Sequence, residues 1–172
     1  MSINLFIIKF PFVSLIGIKK YFNQRIFINN SMEVTMRPRR RNVSDIGISR
    51  NTDESSAIDE ALNLINAGNL INTGDVVVIT PNWVQGKKPS TGIVVGPESL
   101  RQVIRFAKDG NPKRVVVATG SGEGSTLEIM TAVGYDKIIK EEGIEFIDLN
   151  SGPFKEIELS HNSPSATSVN KL

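Results

Sequence analysis

Two short apolar runs, Val76-Val77-Val78-Ile79 and Val115-Val116-Val117-Ala118, stand on either side of a helix-spaced segment. Such runs, bounded by turn formers like Gly74 and Pro81, read as strands buried on both faces, the pattern of a parallel sheet. Between them, Leu100, Val103, Ile104 and Ala107 recur at helical intervals, Pro97 suits a first helical turn, and Asp109-Gly110 stops the helix. Parallel neighbours need a crossover of about a dozen residues or more, and this helix supplies it.

The alternation continues in both directions. Residues 45–49 alternate and read as a first strand centred on Ile46. Thr52 or Asp53 caps a helix carrying Ala57, Ile58, Ala61, Leu62, Leu64 and Ile65 on one stripe. Residues 127–142 are helical in character, with a break at Gly134. Residues 144–149 read as a fourth strand and residues 154–159 alternate as a further one. The expected fold is α/β: a three-layer, mainly parallel sheet with helices on both faces, Rossmann-like but incomplete.

This places one α/β domain at residues 43–159, an N-terminal extension at 1–36 and a polar C-terminal tail at 160–172. The extension differs from the rest. Its apolar stretch from Ile3 to Ile18 is interrupted by Lys9 and Pro11 and is shorter than the roughly 20 residues of a spanning helix. Lys19, Lys20 and Arg25 follow the apolar part, whereas a secretory signal carries its charge before it. Three readings stay open: a start at Met32 or Met36, an arm contacting a membrane surface, or an ordered extension. Residues 1–50 hold nine Lys and Arg against two acids, so the formal charge of +2 conceals an acidic domain. The domain carries no nucleic-acid footprint. Arg37-Pro38-Arg39-Arg40-Arg41 reads as a solvated tail before the first strand or as a contact for nucleic acid or an anionic membrane. The expected location is cytoplasmic.

The chain has no cysteine, which excludes disulfides and thiolate ligation of zinc or iron–sulfur clusters. Its one histidine, His161, excludes a histidine-rich metal centre. No Ser–His–Asp set is present, and the residues name no cofactor and no reaction.

Function is expected at the carboxyl ends of the strands, where open α/β sheets bind ligands. Two unusual loops leave from there. One is Thr119-Gly120-Ser121-Gly122-Glu123-Gly124-Ser125-Thr126, a glycine- and hydroxyl-rich turn between a strand and a helix. Glycine lets backbone N–H groups turn toward an anion, and the helix N-terminus adds partial positive charge. The spacing is Gly-x-Gly-x-Gly and lacks a Gly-Lys-Ser/Thr ending, so it matches neither a dinucleotide fingerprint nor a P-loop. The other loop, residues 80–96, holds Asn82, Trp83, Lys87, Lys88 and Thr91. The candidate ligand-binding set is Asn82, Trp83, Lys87, Thr119, Gly120, Ser121, Gly122, Gly124 and Ser125, for a small anionic ligand. The competing reading is a turn that merely caps the next helix through Ser125 or Thr126, with Trp83 packed over the sheet edge. Asp148 reads either as a third element of the site or as a turn residue. The chain is thus a ligand-binding domain or a non-enzymatic fragment or interaction module, with membrane association as a third class.

The segment Thr73-Gly74-Asp75-Val76-Val77-Val78-Ile79-Thr80-Pro81-Asn82-Trp83-Val84, with Pro97-Glu98-Ser99-Leu100 and the run from Lys113 to Gly120, resembles the domain-of-unknown-function family three-six-two. The resemblance spans residues 43–159 and is most specific at Pro81-Asn82. It implies that the chain is the N-terminal part of a larger protein. Some members carry ferredoxin-like iron–sulfur segments, which a chain without cysteine does not share. Val117-Ala118-Thr119-Gly120 is also similar, more weakly, to the N-terminal domain of lactate racemase-type proteins. The histidine and arginine that follow there are replaced here by residues such as Gly122 and Glu123, so the likeness does not extend to racemase chemistry.

Overall fold

The structure is a computed structural model, and it describes residues 5–9, 44–160 and 162–171. Four parallel strands form the main sheet in the order β1 (Leu5–Lys9), β2 (Val76–Thr80), β3 (Arg114–Thr119) and β4 (Glu145–Asp148). The register places Leu5 beside Val76, Val77 beside Val115, and Ala118 beside Ile147. Spatial order follows chain order, as sequential strands joined by helical crossovers commonly arrange. Helix α1 (Glu54–Leu64) precedes β2, α2 (Pro97–Asp109) joins β2 to β3, and α3 (Thr126–Val133) with α4 (Tyr135–Glu141) joins β3 to β4.

Local signals set these boundaries. Asp53 caps α1, its carboxylate accepting from the Ser56 N–H at 2.7 Å. Pro97 opens α2 and Gly110 closes it. Gly134 takes φ +87°, which ends α3 and starts α4 on a new axis. That conformation is unfavourable for a residue with a Cβ, so the break at this position follows from the residue type.

The helices pack on one face of the sheet. Leu100, Val103, Ile104 and Ala107 of α2 meet Val77, Ile79 and Val117, and Tyr135, Ile138 and Ile139 of α4 join the same cluster. Ile104 is fully buried; covering a side chain of this size contributes about 1.5–3 kcal/mol. The alternate residues Val78, Val116 and Ala118 are also buried and form a second cluster with Val76, Ile147 and Leu149 on the opposite face. No described helix contributes to that second cluster. The α/β class and the mainly parallel sheet are as the sequence predicts, and the helix layer among the described residues covers one face.

Three segments depart from the sequence reading. Residues 44–50 have no strand assignment, and the first strand is instead Leu5–Lys9, inside the residues read as an extension. Alternation at 45–49 was the right pattern for an extended segment, but a strand also needs a neighbour to pair with. Within the residues read as a tail, β6 (Ala166–Asn170) pairs antiparallel with β5 (Phe154–Glu158), Ile157 facing Thr167 in register. Composition concealed β6 because most of its side chains remain exposed and it is held by backbone pairing. The other readings for residues 1–36, including a start at Met32 or Met36 and a membrane-contacting arm, fall on positions outside the described residues apart from β1. No described helix is long and apolar enough to cross a membrane.

Candidate functional site

At the end of β2, Pro81 supplies no N–H to the ladder and the chain leaves the sheet. It soon folds back: Trp83 and Val94 form an antiparallel bridge, Val95 N–H donates to the Asn82 carbonyl at 3.0 Å, and Asn82 Nδ2 donates to the Ile93 carbonyl at 2.9 Å. Trp83 and Val94 point inward and are buried. The indole lies 5.2 Å from the Tyr135 ring and 5.7 Å from Phe146, centroid to centroid. At 2 % exposure, Trp83 packs over the sheet edge and presents no face to a ligand. Its Nε1 is buried with no partner among the described residues. The Tyr135 hydroxyl donates to the Val95 carbonyl at 2.5 Å and holds the far side of the loop.

At the end of β3, Ser121 N–H donates to Thr126 Oγ1 at 3.3 Å and Ser121 Oγ donates to the Gly124 carbonyl at 3.1 Å. Ser125 Oγ accepts from the Glu128 N–H at 3.4 Å and caps α3. Thr119, Ser121 and Thr126 are buried. The hydroxyls at 121, 125 and 126 thus spend hydrogen bonds on their own turn, as the capping reading expects. Gly124 takes φ +68° to close it.

The two loops and the end of β4 are tied together. Gly122 N–H donates to the Val84 carbonyl at 3.2 Å, and Gln85 Nε2 donates to the Glu123 carboxylate at 2.6 Å. From the third strand end, Asn150 Nδ2 donates to the Ser121 carbonyl at 2.8 Å, and Leu149 N–H donates to the Thr119 carbonyl at 3.0 Å. A Cβ on Gly120 would sit 2.3 Å from Asn150 Oδ1, and one on Gly122 would sit 2.7 Å from Val84 Cγ1. These close approaches account for both glycines through contacts within the chain itself.

Asp148 organises the third loop. Its carboxylate accepts from the Asn150 N–H at 2.9 Å and from Ser151 Oγ at 2.7 Å. Burial alone would push this carboxyl up, but the hydrogen bonds from Ser151, Asn150 and the Thr126 hydroxyl stabilise the charged form and hold it below the usual aspartate value. Asp148 is therefore a turn residue that also touches the glycine loop.

Of the predicted set, Gly120, Ser121, Gly122, Gly124 and Ser125 share one small turn, and Asn82 and Lys87 lie in the loop bonded to it. Lys87 and Lys88 are exposed and pair with no described carboxylate. Asn82, Gly122, Gly124 and Ser125 are also exposed. Sequence reasoning missed Gln85, Tyr135 and Asn150. Asn150 had a signal, since Asp148-Leu149-Asn150-Ser151 is rich in turn formers; the partner of its carboxamide had none. Among the described residues no cluster of His, Cys, Asp or Glu suits a metal ion.

Comparison with known proteins gives one family: the model described as "Domain of unknown function (DUF362)" matches residues 77–171. The match runs through the β5–β6 hairpin and begins inside β2. No curated protein and no solved structure gives a significant match, so the similarity to lactate racemase-type proteins finds no support there.

Proposed function

The chain belongs to the family described as Domain of unknown function (DUF362), and on that premise we propose that it binds a small anionic ligand at the carboxyl edge of its sheet. The hydrogen bond from Gly122 N–H to the Val84 carbonyl carries this reading. It joins the N-terminal end of α3 to the lysine-bearing loop, so partial positive charge from helix dipoles and the ammonium groups of Lys87 and Lys88 belong to one edge of the protein. The exposed groups assigned to binding in this reading are Asn82, Lys87 and the backbone of residues 122–125. Thr119 and Ser121 support it from below, and Trp83 fixes the loop by packing. Glu123 opposes an anion electrostatically, and the Gln85 carboxamide holds it in place.

Calorimetric titration with phosphate, sulfate and small carboxylates tests the proposal. Saturable binding that weakens in Lys87→Ala by about 1 kcal/mol or less, as for an exposed rim charge, supports it. Strengthened binding in Glu123→Gln supports it further. A folded protein that takes up none of these anions overturns it.

A second reading, an interaction module, is favoured by one observation. Val84 and Ile93 oppose each other across the Trp83–Val94 bridge, both exposed, with exposed Leu127 in the first turn of α3. Contact of this edge with another protein would reduce amide exchange in residues 84–93 without any response to small anions.

A further inference from the structure

Residues 47–64 form one unit that lies against α2 on few contacts. Within the unit, a Cβ on Gly47 would collide with the Ala61 carbonyl oxygen, Ser49 Oγ donates to the Ala57 carbonyl, and Asn51 Nδ2 donates to Glu60 Oε1 at 2.8 Å. Residues 47–51 are thereby fastened to α1. Two polar ties join the unit to α2: Ser99 Oγ donates to Glu54 Oε1, and Gln102 Nε2 donates to Asp59 Oδ1 at 2.5 Å. Among the described residues, Ile58 is the one α1 side chain packed on the main core. Helix α1 has no buried residue, whereas α2 buries Ser99, Leu100, Val103, Ile104 and Ala107. The family match begins at residue 77, beyond α1.

We infer that residues 47–64 are a strap that opens as a unit while the sheet and α2 stay folded, with Glu54 as its latch. An element with few buried apolar contacts opens locally at a cost well below that of global unfolding. Each polar tie is exchanged for hydrogen bonds to water on opening, so it opposes opening only modestly. At 11 residues, α1 is too short to persist as a helix away from its support, and opening melts it. The main core loses Ile58 and keeps the contacts of α2 with Val77, Ile79 and Val117. Glu54 Oε2 lies 3.0 Å from the position a Cβ on Gly96 would take, and Gly96 joins loop 80–96 to α2. Opening therefore withdraws a carboxylate from that end of the loop, at the carboxyl edge of the sheet, while Tyr135 still holds Val95. It also uncovers the side of α2 that carries Ser99 and Gln102. The step requires no bound anion.

Native-state hydrogen exchange of the full chain, read by mass spectrometry at low denaturant concentrations, tests this. Backbone amides of α1 are expected to exchange about tenfold or more faster than those of residues 103–107 in α2. Their rate should hardly depend on denaturant, because the opening exposes little surface. Ser99→Ala removes the donor to the latch and should accelerate α1 about fivefold, the effect of one hydrogen bond, while β3 is unchanged. Gln102→Ala, at a partly exposed position, should do the same. An α1 that exchanges no faster than α2 overturns the inference. So does an acceleration that β3 shares in equal measure, since α1 would then unfold only with the whole domain. A fast α1 that Ser99→Ala leaves unaltered overturns Glu54 as the latch.

Discussion

The side-chain amide of Asn150 donates to the carbonyl oxygen of Ser121 at 2.8 Å, fastening the end of one strand to the glycine turn that follows its neighbour. The same amide lies 3.3 Å from Thr126 Oγ1, so one residue serves both the turn and the first residue of α3. Replacing it by alanine removes the donor and leaves a part-buried carbonyl to find water. Asn150→Ala is expected to cost about 1 kcal/mol. Asn150→Asp is expected to cost more, because it places a carboxylate against a carbonyl and beside Asp148. Thermal melts of the two variants check the order.

Gly122 and Val84 form a pair whose sizes are linked. A methyl on Gly122 meets Val84 Cγ1 at 2.7 Å, inside contact distance. Gly122→Ala alone should destabilise the protein by about 1–3 kcal/mol through overpacking. Val84 is partly exposed, so Val84→Ala alone should cost less. In the double variant the new methyl occupies the vacated space, and the combined cost should fall short of the sum. A double-mutant cycle by denaturant unfolding measures that coupling.

Trp83 separates packing from polarity. Its indole stacks near Phe146 and tilts against Tyr135, while its N–H is buried without a described partner. Trp83→Ala opens a cavity and is expected to cost about 3–5 kcal/mol. Trp83→Phe keeps most of the ring contact and removes the unpaired donor, so the expected cost is about 1 kcal/mol or less. Equal losses in the two variants would show that a phenyl ring does not replace the indole contacts with Tyr135 and Phe146.

The Asp148 turn predicts a direction of pH dependence. Its carboxyl titrates below the ordinary aspartate value of 3.8 because Ser151, Asn150 and Thr126 stabilise the charged form more than burial opposes it. The folded state therefore binds this proton less readily than the unfolded chain. The stabilisation is fully present above the unfolded value and is lost as the pH falls through the lower folded value. Unfolding curves taken from neutral pH downward should show a loss below about pH 4 that is smaller in Asp148→Asn than in the parent.

The order of elements from β2 to β4 was legible in the chain because it rests on local chemistry. Val76 to Ile79 has no polar position and must be covered on both faces, and Leu100, Val103, Ile104 and Ala107 present one stripe. Gly134 has the left-handed conformation that its lack of a Cβ permits. Ser125 as a cap was legible for the same reason, since a hydroxyl before a helix satisfies an N–H within its own turn. What lay beyond the sequence was which distant groups meet. Alternation in residues 45–49 marks an extended chain, but the strand beside β2 opposite β3 is Leu5–Lys9, and strand pairing is a contact between remote residues that neither segment encodes alone. Trp83 in a polar, glycine-rich loop carries no local sign that Tyr135 and Phe146 will enclose it. The glycines at 120 and 122 are readable as places of close approach; that Asn150 and Val84 do the approaching follows only from the parallel sheet, which brings three strand ends to one edge and obliges their loops to share the space above it.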